Sequence, residues 1–112
     1  MITRIFASVA VRQLDSAVRF YERIFGPATS RPVPEVAEWR FSSGGGLQVY
    51  ELPERAGHGS FTVSVTDIDE LVATLNAAGI RSPEPNRTPQ TETVMITDLD
   101  GNSIAFAGPS VG

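Results

Sequence analysis

Few side chains in this sequence have the chemistry of a catalytic or metal-binding group. His58 is the only histidine and cysteine is absent, which excludes disulfides, thiolate metal sites and cysteine nucleophiles. The sequence has no Gly-x-Ser-x-Gly motif, and the glycines at positions 44–46 are typical of a turn rather than a phosphate-binding loop. No carboxylate is paired with His58 in a way that indicates acid–base catalysis. Amides, hydroxyls and aromatic rings are therefore the groups left for ligand recognition.

Two amphipathic helices are predicted from the spacing of apolar side chains, and they set the frame for those groups. The first covers residues 14–25 and carries apolar side chains at helical spacing, namely Leu14, Val18, Tyr21 and Phe25. The second covers residues 68–78 and carries a similar set, Ile68, Leu71, Val72 and Leu75. Gly26 and Gly79 follow the two helices and are typical of helix ends.

Strands with alternating apolar and polar residues precede and follow each helix. The predicted strands cover residues 5–11, 39–42, 47–51, 60–65, 93–97 and 103–107. Glycines 44–46 form one hairpin turn between these strands, and Asp98-Leu99-Asp100-Gly101-Asn102 forms another. The same order of elements thus occurs twice, with matching positions offset by 54 residues at first and by 57 further on. The chain is interpreted as two diverged copies of one strand-helix-strands unit.

Length and charge limit the class of protein. The 112 residues are predicted to form a single domain over residues 1–112, with a first module over about 1–52 and a second over about 58–108. A formal net charge of −4 and the absence of lysine argue against nucleic-acid binding. No segment approaches the ~18 apolar residues of a membrane-spanning helix, so no membrane association is expected. The N-terminal residues lack the pattern of a signal peptide, and a cytoplasmic location is predicted.

Three segments together resemble the vicinal oxygen chelate superfamily, which includes glyoxalase I, bleomycin-resistance proteins and extradiol dioxygenases. They are residues 9–26, residues 63–69 and the turn Asp98-Leu99-Asp100-Gly101-Asn102. The resemblance covers essentially the whole chain and lies in the order and spacing of these segments. It implies an α+β fold in which two βαβββ modules form a curled mixed sheet. That sheet would be an open cup with the helices on its outer face, usually completed in a homodimer.

Metal-dependent members of that superfamily place four ligands on strands that line the cup. The resemblance maps these positions onto Ser8, Gln48, Ser60 and Ala105. A serine hydroxyl is a poor ligand for a divalent transition metal, and alanine is none. Gln48 offers one weak oxygen, which does not hold an ion. The resemblance therefore implies a bleomycin-resistance-like member that lacks the metal ligands and uses no cofactor.

Strand alternation predicts which side chains face the cup. The expected lining is mildly polar and uncharged, and its candidate ligand-binding residues are Phe6, Ser8, Gln48, Tyr50, Ser60, Thr62 and Met95, with Trp39 or, alternatively, Phe41 as a stacking wall. The alternative for each is ordinary packing or a solvated face. His58 is interpreted as part of a solvated loop, with a place at the rim of the pocket as the alternative.

These observations predict a metal-independent small-molecule-binding protein that sequesters an antibiotic or another aromatic or amphipathic compound. The alternative is a divergent lyase, isomerase or dioxygenase-type enzyme that uses the same cup. A third interpretation is a subunit or sensory module whose cup is filled by its own side chains. An exposed Trp39 or the proline-rich residues 82–90 are the candidate contacts of the homodimer.

Overall fold

Two four-stranded sheets, each covered by one helix, make up the part of the chain that the computed structural model describes, residues 1–110. The first half contains β1 (Phe6–Val11), α1 (Leu14–Phe25), β2 (Ser30–Val33), β3 (Val36–Arg40) and β4 (Gly46–Glu51). A short 3₁₀ turn at Pro53–Arg55 follows. The second half contains β5 (Ser60–Ser64), α2 (Ile68–Ala77), β6 (Asn86–Arg87), β7 (Thr91–Thr97) and β8 (Ser103–Pro109).

Both sheets have the same topology. The strand order is β1-β4-β3-β2 in the first sheet and β5-β8-β7-β6 in the second. β1 runs parallel to β4 and β5 runs parallel to β8, whereas the other neighbouring strands are antiparallel. The prediction of an α+β fold with two βαβββ modules around an open cup is confirmed. We call β1 to β4 with α1 the first module, and β5 to β8 with α2 the second module.

The two helices begin with different caps. In α2 the side chain of Asp67 accepts hydrogen bonds from two backbone amides of the first turn. In α1 the residue at the cap position, Gln13, makes no such bond, and the amide of Leu14 donates instead to Oε1 of Glu51 at 2.9 Å. Because Glu51 ends β4, the start of α1 is fixed by a strand of its own module. Within residues 1–110, no helix is long and apolar enough to span a membrane.

Alternation along the strands separates a core face, which lies under the helices, from a cup face on the other side. The fully buried side chains of the core face include Val9, Val11, Leu47, Val49, Ile104 and Phe106. Phe61 and Val63 of β5 lie on the same face and are half-buried. The faces predicted for these strands are confirmed.

Trp39 lies in the core, contrary to the predictions that it forms a wall of the cup or an exposed dimer contact. Only 2% of the residue is exposed, and its indole nitrogen donates to the backbone oxygen of Gly26 at 2.8 Å. The ring centroids of Trp39 and Tyr21 are 6.0 Å apart. Trp39 therefore supports the end of α1 because its hydrogen-bonding group has a backbone partner inside the protein.

The two modules meet along β1 and β5 and are joined tightly at one end. A Cβ atom on Gly59 would lie 3.0 Å from Cγ1 of Val9, so the chains approach closely there. The buried side-chain amide of Asn102 donates to the backbone oxygen of Ala10 at 2.8 Å. Its side-chain oxygen accepts from the amide of Gly59, also at 2.8 Å. Toward the other end, near residues 44–46, a cavity lies between the modules.

Candidate functional site

Four polar side chains form a continuous row across the cup face of the first sheet. The strand register pairs Ser8 with Gln48, Gln48 with Glu38, and Glu38 with Ser30. Because paired residues on neighbouring strands point to the same face of a sheet, all four side chains face the cup. We call Ser8, Gln48, Glu38 and Ser30 the polar row.

Hydrogen bonds link the members of the polar row. Oγ of Ser8 donates to Oε1 of Gln48 at 3.3 Å, and Nε2 of Gln48 donates to Oε2 of Glu38 at 2.6 Å. From the other side, Oγ of Ser30 donates to Oε1 of Glu38 at 3.4 Å. The guanidinium of Arg40, on the same face of β3, pairs with that oxygen at 3.3 Å. The carboxylate of Glu38 is thus the acceptor on which the row converges.

Glu38 is a buried charge on the cup face, which corrects the prediction of an uncharged lining. Its side chain is only 10% exposed, and a charge in that position requires paired partners. The predicted strand begins at Trp39, whereas β3 begins at Val36, so Glu38 falls outside the predicted strand. The signal that identifies it is its alternation with Trp39, which gives it the same face as Arg40.

A pocket opens beside the Ser8 end of the polar row. It has a volume of about 260 Å³ and is lined by Ser8, Val9, Ala10, Tyr50, Glu54, Arg55, His58 and Gly59. Strands β1 and β4 supply its base, and the loop after β4 supplies a rim with charged side chains. His58 is exposed and belongs to that rim, so the structure favours the alternative interpretation of this residue. We call this site the cup pocket.

The structure brings some predicted site residues together and separates others. The cup face of the first sheet carries Phe6, Ser8, Gln48 and Tyr50. The cup face of the second sheet carries Ser60, Thr62 and Met95. Thr62 pairs with Ala105, which pairs with Met95, so these three residues form a separate row, in which Met95 is 59% exposed. Trp39 belongs to neither group.

A second cavity, with a volume of about 430 Å³, lies between the modules. Its wall is mostly apolar and includes Ile5, Ala7, Phe25, Phe41, Leu47, Phe61 and Val63. Thr62, Ser64 and the turn at residues 43–46 complete the wall, and among the described residues no charged side chain lines it. We call this the seam cavity. Sequence reasoning missed it because its wall combines residues from both modules.

The four positions that the resemblance assigns to metal ligands do not carry a fitting set of donors. Ser8 and Gln48 are hydrogen-bonded to each other, and the amide nitrogen of Gln48 is bound to Glu38. Ser60 is a hydroxyl on the other sheet, and Ala105 has no donor atom. Within residues 1–110, no three His, Cys, Asp or Glu side chains are grouped as metal ligands. This chemistry does not suit a divalent transition metal.

The fold and the cup define a class of paired βαβββ proteins. The sequence profile of the Glyoxalase/Bleomycin resistance protein/Dioxygenase superfamily matches residues 3–106. The chain belongs to this superfamily, and the resemblance drawn from its motifs is confirmed. A search of curated protein sequences finds no match to the chain.

Solved structures with a similar fold come from proteins of different kinds. A glyoxalase/bleomycin resistance protein from Catenulispora acidiphila is 29% identical, with a TM-score of 0.87 over 96% of this chain and 98% of that one. TnmS3, an antibiotic binding protein from Streptomyces sp. CB03234, is 23% identical, with a TM-score of 0.81 over 98% of each chain. A lactoylglutathione lyase from Agrobacterium tumefaciens is 20% identical, with a TM-score of 0.76 over 96% and 94% of the two chains. The last two likenesses show the fold alone.

Proposed function

We propose that this protein binds a small aromatic or amphipathic organic molecule on the cup face of the first sheet, without a metal ion. The observation that carries the proposal is the polar row. At two positions that the resemblance assigns to metal ligands, Ser8 and Gln48 are hydrogen-bonded to each other, and Gln48 is bound to Glu38. A hydroxyl and an amide held in this way recognise polar groups of an organic ligand.

The cup pocket supports the binding of a compact group. Its volume of about 260 Å³ is close to the lower end of the range for ligand sites, roughly 300–1,000 Å³. The half-buried ring of Tyr50 lines it and offers an aromatic surface. The pocket is open, and a second copy of the chain placed over the cup face would enclose a ligand further. For this reason we propose a homodimer, and we propose that it acts in the cytoplasm because a chain without cysteine needs no oxidising compartment.

An antibiotic is the ligand class that we place first. TnmS3 shares the fold and is an antibiotic binding protein, although the likeness itself concerns the fold. The net charge of −4 adds a second reason, because an acidic protein attracts cationic compounds. A cationic compound with an aromatic ring fits both the charge of the chain and the lining of the cup pocket.

The alternative is an enzyme of the lyase, isomerase or dioxygenase type that uses the same cup. One observation favours it, because Glu38 places a buried carboxylate on the cup face, where a general base would be useful. Both oxygens of that carboxylate already accept hydrogen bonds, from Gln48 on one side and from Ser30 and Arg40 on the other. The side chain is nine-tenths buried and does not line the cup pocket, so binding is the better supported function.

Native mass spectrometry of the purified protein tests the proposal. The spectra are recorded before and after incubation with a panel of aromatic amines and antibiotics. We expect a dimer without stoichiometric metal that takes up one ligand per chain. One divalent metal ion retained per chain, or conversion of a panel compound into a product, would overturn the proposal in favour of the enzyme.

Two exposed serines allow the site to be located with matched variants. Ser8→Trp fills the cup pocket, and Ser64→Trp places a ring at the seam cavity. We expect Ser8→Trp to weaken ligand binding by about tenfold or more and Ser64→Trp to leave it unchanged. Loss of binding in Ser64→Trp alone would place the ligand in the seam cavity and refute the proposed site.

A further inference from the structure

We propose that Glu38 determines which kind of polar group the cup pocket accepts, although it does not line the pocket itself. It acts as a positioning residue through Gln48 and Ser8, and it makes Ser8 an acceptor for a ligand group that donates a hydrogen bond. The inference rests on the proposed function, since it names the ligand chemistry of the same site.

The hydrogen bond between Glu38 and Gln48 fixes the orientation of the Gln48 amide. A carboxylate only accepts hydrogen bonds, whereas an amide has one end that accepts and one that donates. The 2.6 Å contact therefore requires Gln48 to present its nitrogen to Glu38. This fixes the orientation of the amide and turns its oxygen toward Ser8.

The hydrogen bond between Gln48 and Ser8 then fixes the direction of the Ser8 hydroxyl proton. Oε1 of Gln48 only accepts, so the hydroxyl proton of Ser8 is directed to it across 3.3 Å. A serine hydroxyl has a single proton, and once that proton is committed the oxygen offers only lone pairs to other partners. Ser8 lines the cup pocket, and there it accepts hydrogen bonds.

Hydrogen bonds from three partners hold the carboxylate of Glu38 in place. Its Oε1 accepts from Ser30 and Arg40, and its Oε2 accepts from Gln48. The side chain is nine-tenths buried, so these partners define its position. The direction of every hydrogen bond from Ser8 to Glu38 thus follows from one carboxylate.

The ligand class follows from this direction. A protonated amine, a hydroxyl or an amide N–H supplies the hydrogen bond that Ser8 accepts at the base of the cup pocket. The rim carries Glu54, Arg55 and His58, all exposed, so its charges have both signs and the preference for a donor rests on Ser8. An aromatic ligand whose polar end only accepts hydrogen bonds finds no donor at Ser8.

Glu38→Gln tests the inference because it reverses the donor–acceptor direction of the hydrogen bonds in the polar row. Arg40 and Ser30 donate to Oε1, so a glutamine at position 38 keeps its oxygen there and turns its nitrogen toward Gln48. Gln48 must then present its oxygen to position 38 and its nitrogen to Ser8. The proton of Ser8 becomes free to donate to a ligand. Ser30→Ala is the matched control, because it removes one bond to Glu38 without changing the direction of the row.

The preference is measured with two simple aromatic probes, benzylamine as a hydrogen-bond donor and acetophenone as an acceptor. NMR titrations give the dissociation constant of each probe. We expect the wild type and Ser30→Ala to prefer benzylamine. In Glu38→Gln we expect the ratio of the two constants to change by about tenfold in favour of acetophenone. Equal weakening of both probes in Glu38→Gln would show that Glu38 is only structural and would overturn the inference.

A measurement without ligand separates this inference from the proposed function. Thermal unfolding first establishes that Glu38→Gln is folded. In the wild type we expect the side-chain amide protons of Gln48 to resonate downfield of those of the exposed Gln13 and Gln90, because one of them donates to a carboxylate. That difference should disappear in Glu38→Gln. A Gln48 resonance that is the same in Glu38→Gln as in the wild type would refute the inference even if ligands bind. If the resonance shifts as expected but neither probe binds the wild type, only the proposed function of the cup pocket is refuted.

Discussion

The hydroxyl of Tyr21, in α1, donates a hydrogen bond of 2.7 Å to Oδ2 of Asp98, which follows β7 in the other module. Both residues are buried. Oδ1 of Asp98 accepts from the backbone amides of Asp100 and Asn102, as expected for a residue that forms the hairpin turn. One carboxylate therefore holds its own turn and the helix of the neighbouring module, so the packing of the two modules depends on it.

Tyr21→Phe removes the hydroxyl from this contact and leaves the ring in place. We expect the free energy of unfolding to fall by about 2 kcal/mol, because a buried hydrogen bond to a charged group is lost. Urea denaturation followed by circular dichroism measures the change. Tyr50→Phe is the control, since Tyr50 is only half-buried, and we expect it to stay within about 0.5 kcal/mol of the wild type. Equal losses in the two variants would contradict the assigned role of the Tyr21 hydroxyl.

The same contact predicts a loss of stability in alkali. Burial, and then the hydrogen bond to Asp98, raise the pKa of Tyr21 well above its ordinary value of 10.0. Because the folded pKa lies above the unfolded one, this contribution to stability is complete below about pH 10 and is lost as the pH rises further. Between about pH 10 and pH 12 we expect the wild type to lose about 1.4 kcal/mol per pH unit relative to Tyr21→Phe. Urea denaturation at several pH values tests this, and parallel pH profiles for the two proteins would refute it.

Asn102→Ala removes the side-chain hydrogen bonds that link the two modules. Its side chain bonds the backbone of Ala10 and of Gly59 and also donates to Asp98 at 2.8 Å. Removal leaves a buried oxygen and a backbone amide without partners, so we expect a loss of about 3 kcal/mol or more. Asn76→Ala, at an exposed position in α2, should change stability by a few tenths of a kcal/mol only. Chemical denaturation of both variants gives the comparison, and a small effect at Asn102 would contradict the bridging role.

Alanine substitutions at two glycines with positive φ distinguish the cost of backbone strain from the cost of a steric clash of the added Cβ atom. Gly26, after α1, has φ of 79° and open space where a Cβ would lie. Gly57, in the loop between the modules, has φ of 88°, and a Cβ there would collide with the backbone oxygen of Asp100. We expect Gly26→Ala to cost about 2 kcal/mol from strain alone, because φ of 79° with ψ of −172° is a backbone conformation that essentially only glycine adopts, and we expect Gly57→Ala to cost about 2 kcal/mol more. Thermal unfolding measures both, and equal costs would show that the loop adapts freely.

Local patterns predict most of the fold. The periodicity of apolar residues and the glycine that follows give α1 its observed bounds, residues 14–25, and α2 differs by one residue at its end. The two outer strands, β2 and β6, are missing from the prediction because they are short and mostly exposed, so no alternation marks them. The proline-rich residues 82–90 do contain β6, at the outer edge of the second sheet. Edge strands depend on pairing with a neighbour rather than on their own sequence.

The candidate site is less predictable than the fold, because its decisive contacts join distant segments. Alternation places Ser8 and Gln48 on the cup face, and that prediction needs only local sequence. Glu38 belongs to the polar row only because β3 begins at Val36. The pairing of Val36 with Tyr50 fixes that start. Trp39 is equally suited to a core and to a pocket by its type, and only the position of α1 decides between them. The roles predicted for Phe6, Ser60, Thr62 and Met95 in ligand binding stay predictions.

The polar row also bears on how such a protein acquires a new specificity. Ser8 and Gln48 alternate along their strands with Val9, Leu47 and Val49, so each of these polar residues lies next to a core residue but on the opposite side of the backbone. Under the proposed function, a mutation at Ser8 changes what the cup recognises without changing a core side chain. A gene for such a chain can be duplicated and diverge by a few codon changes on one face, while its copies inherit the same scaffold. An antibiotic binding protein and a lactoylglutathione lyase share this fold.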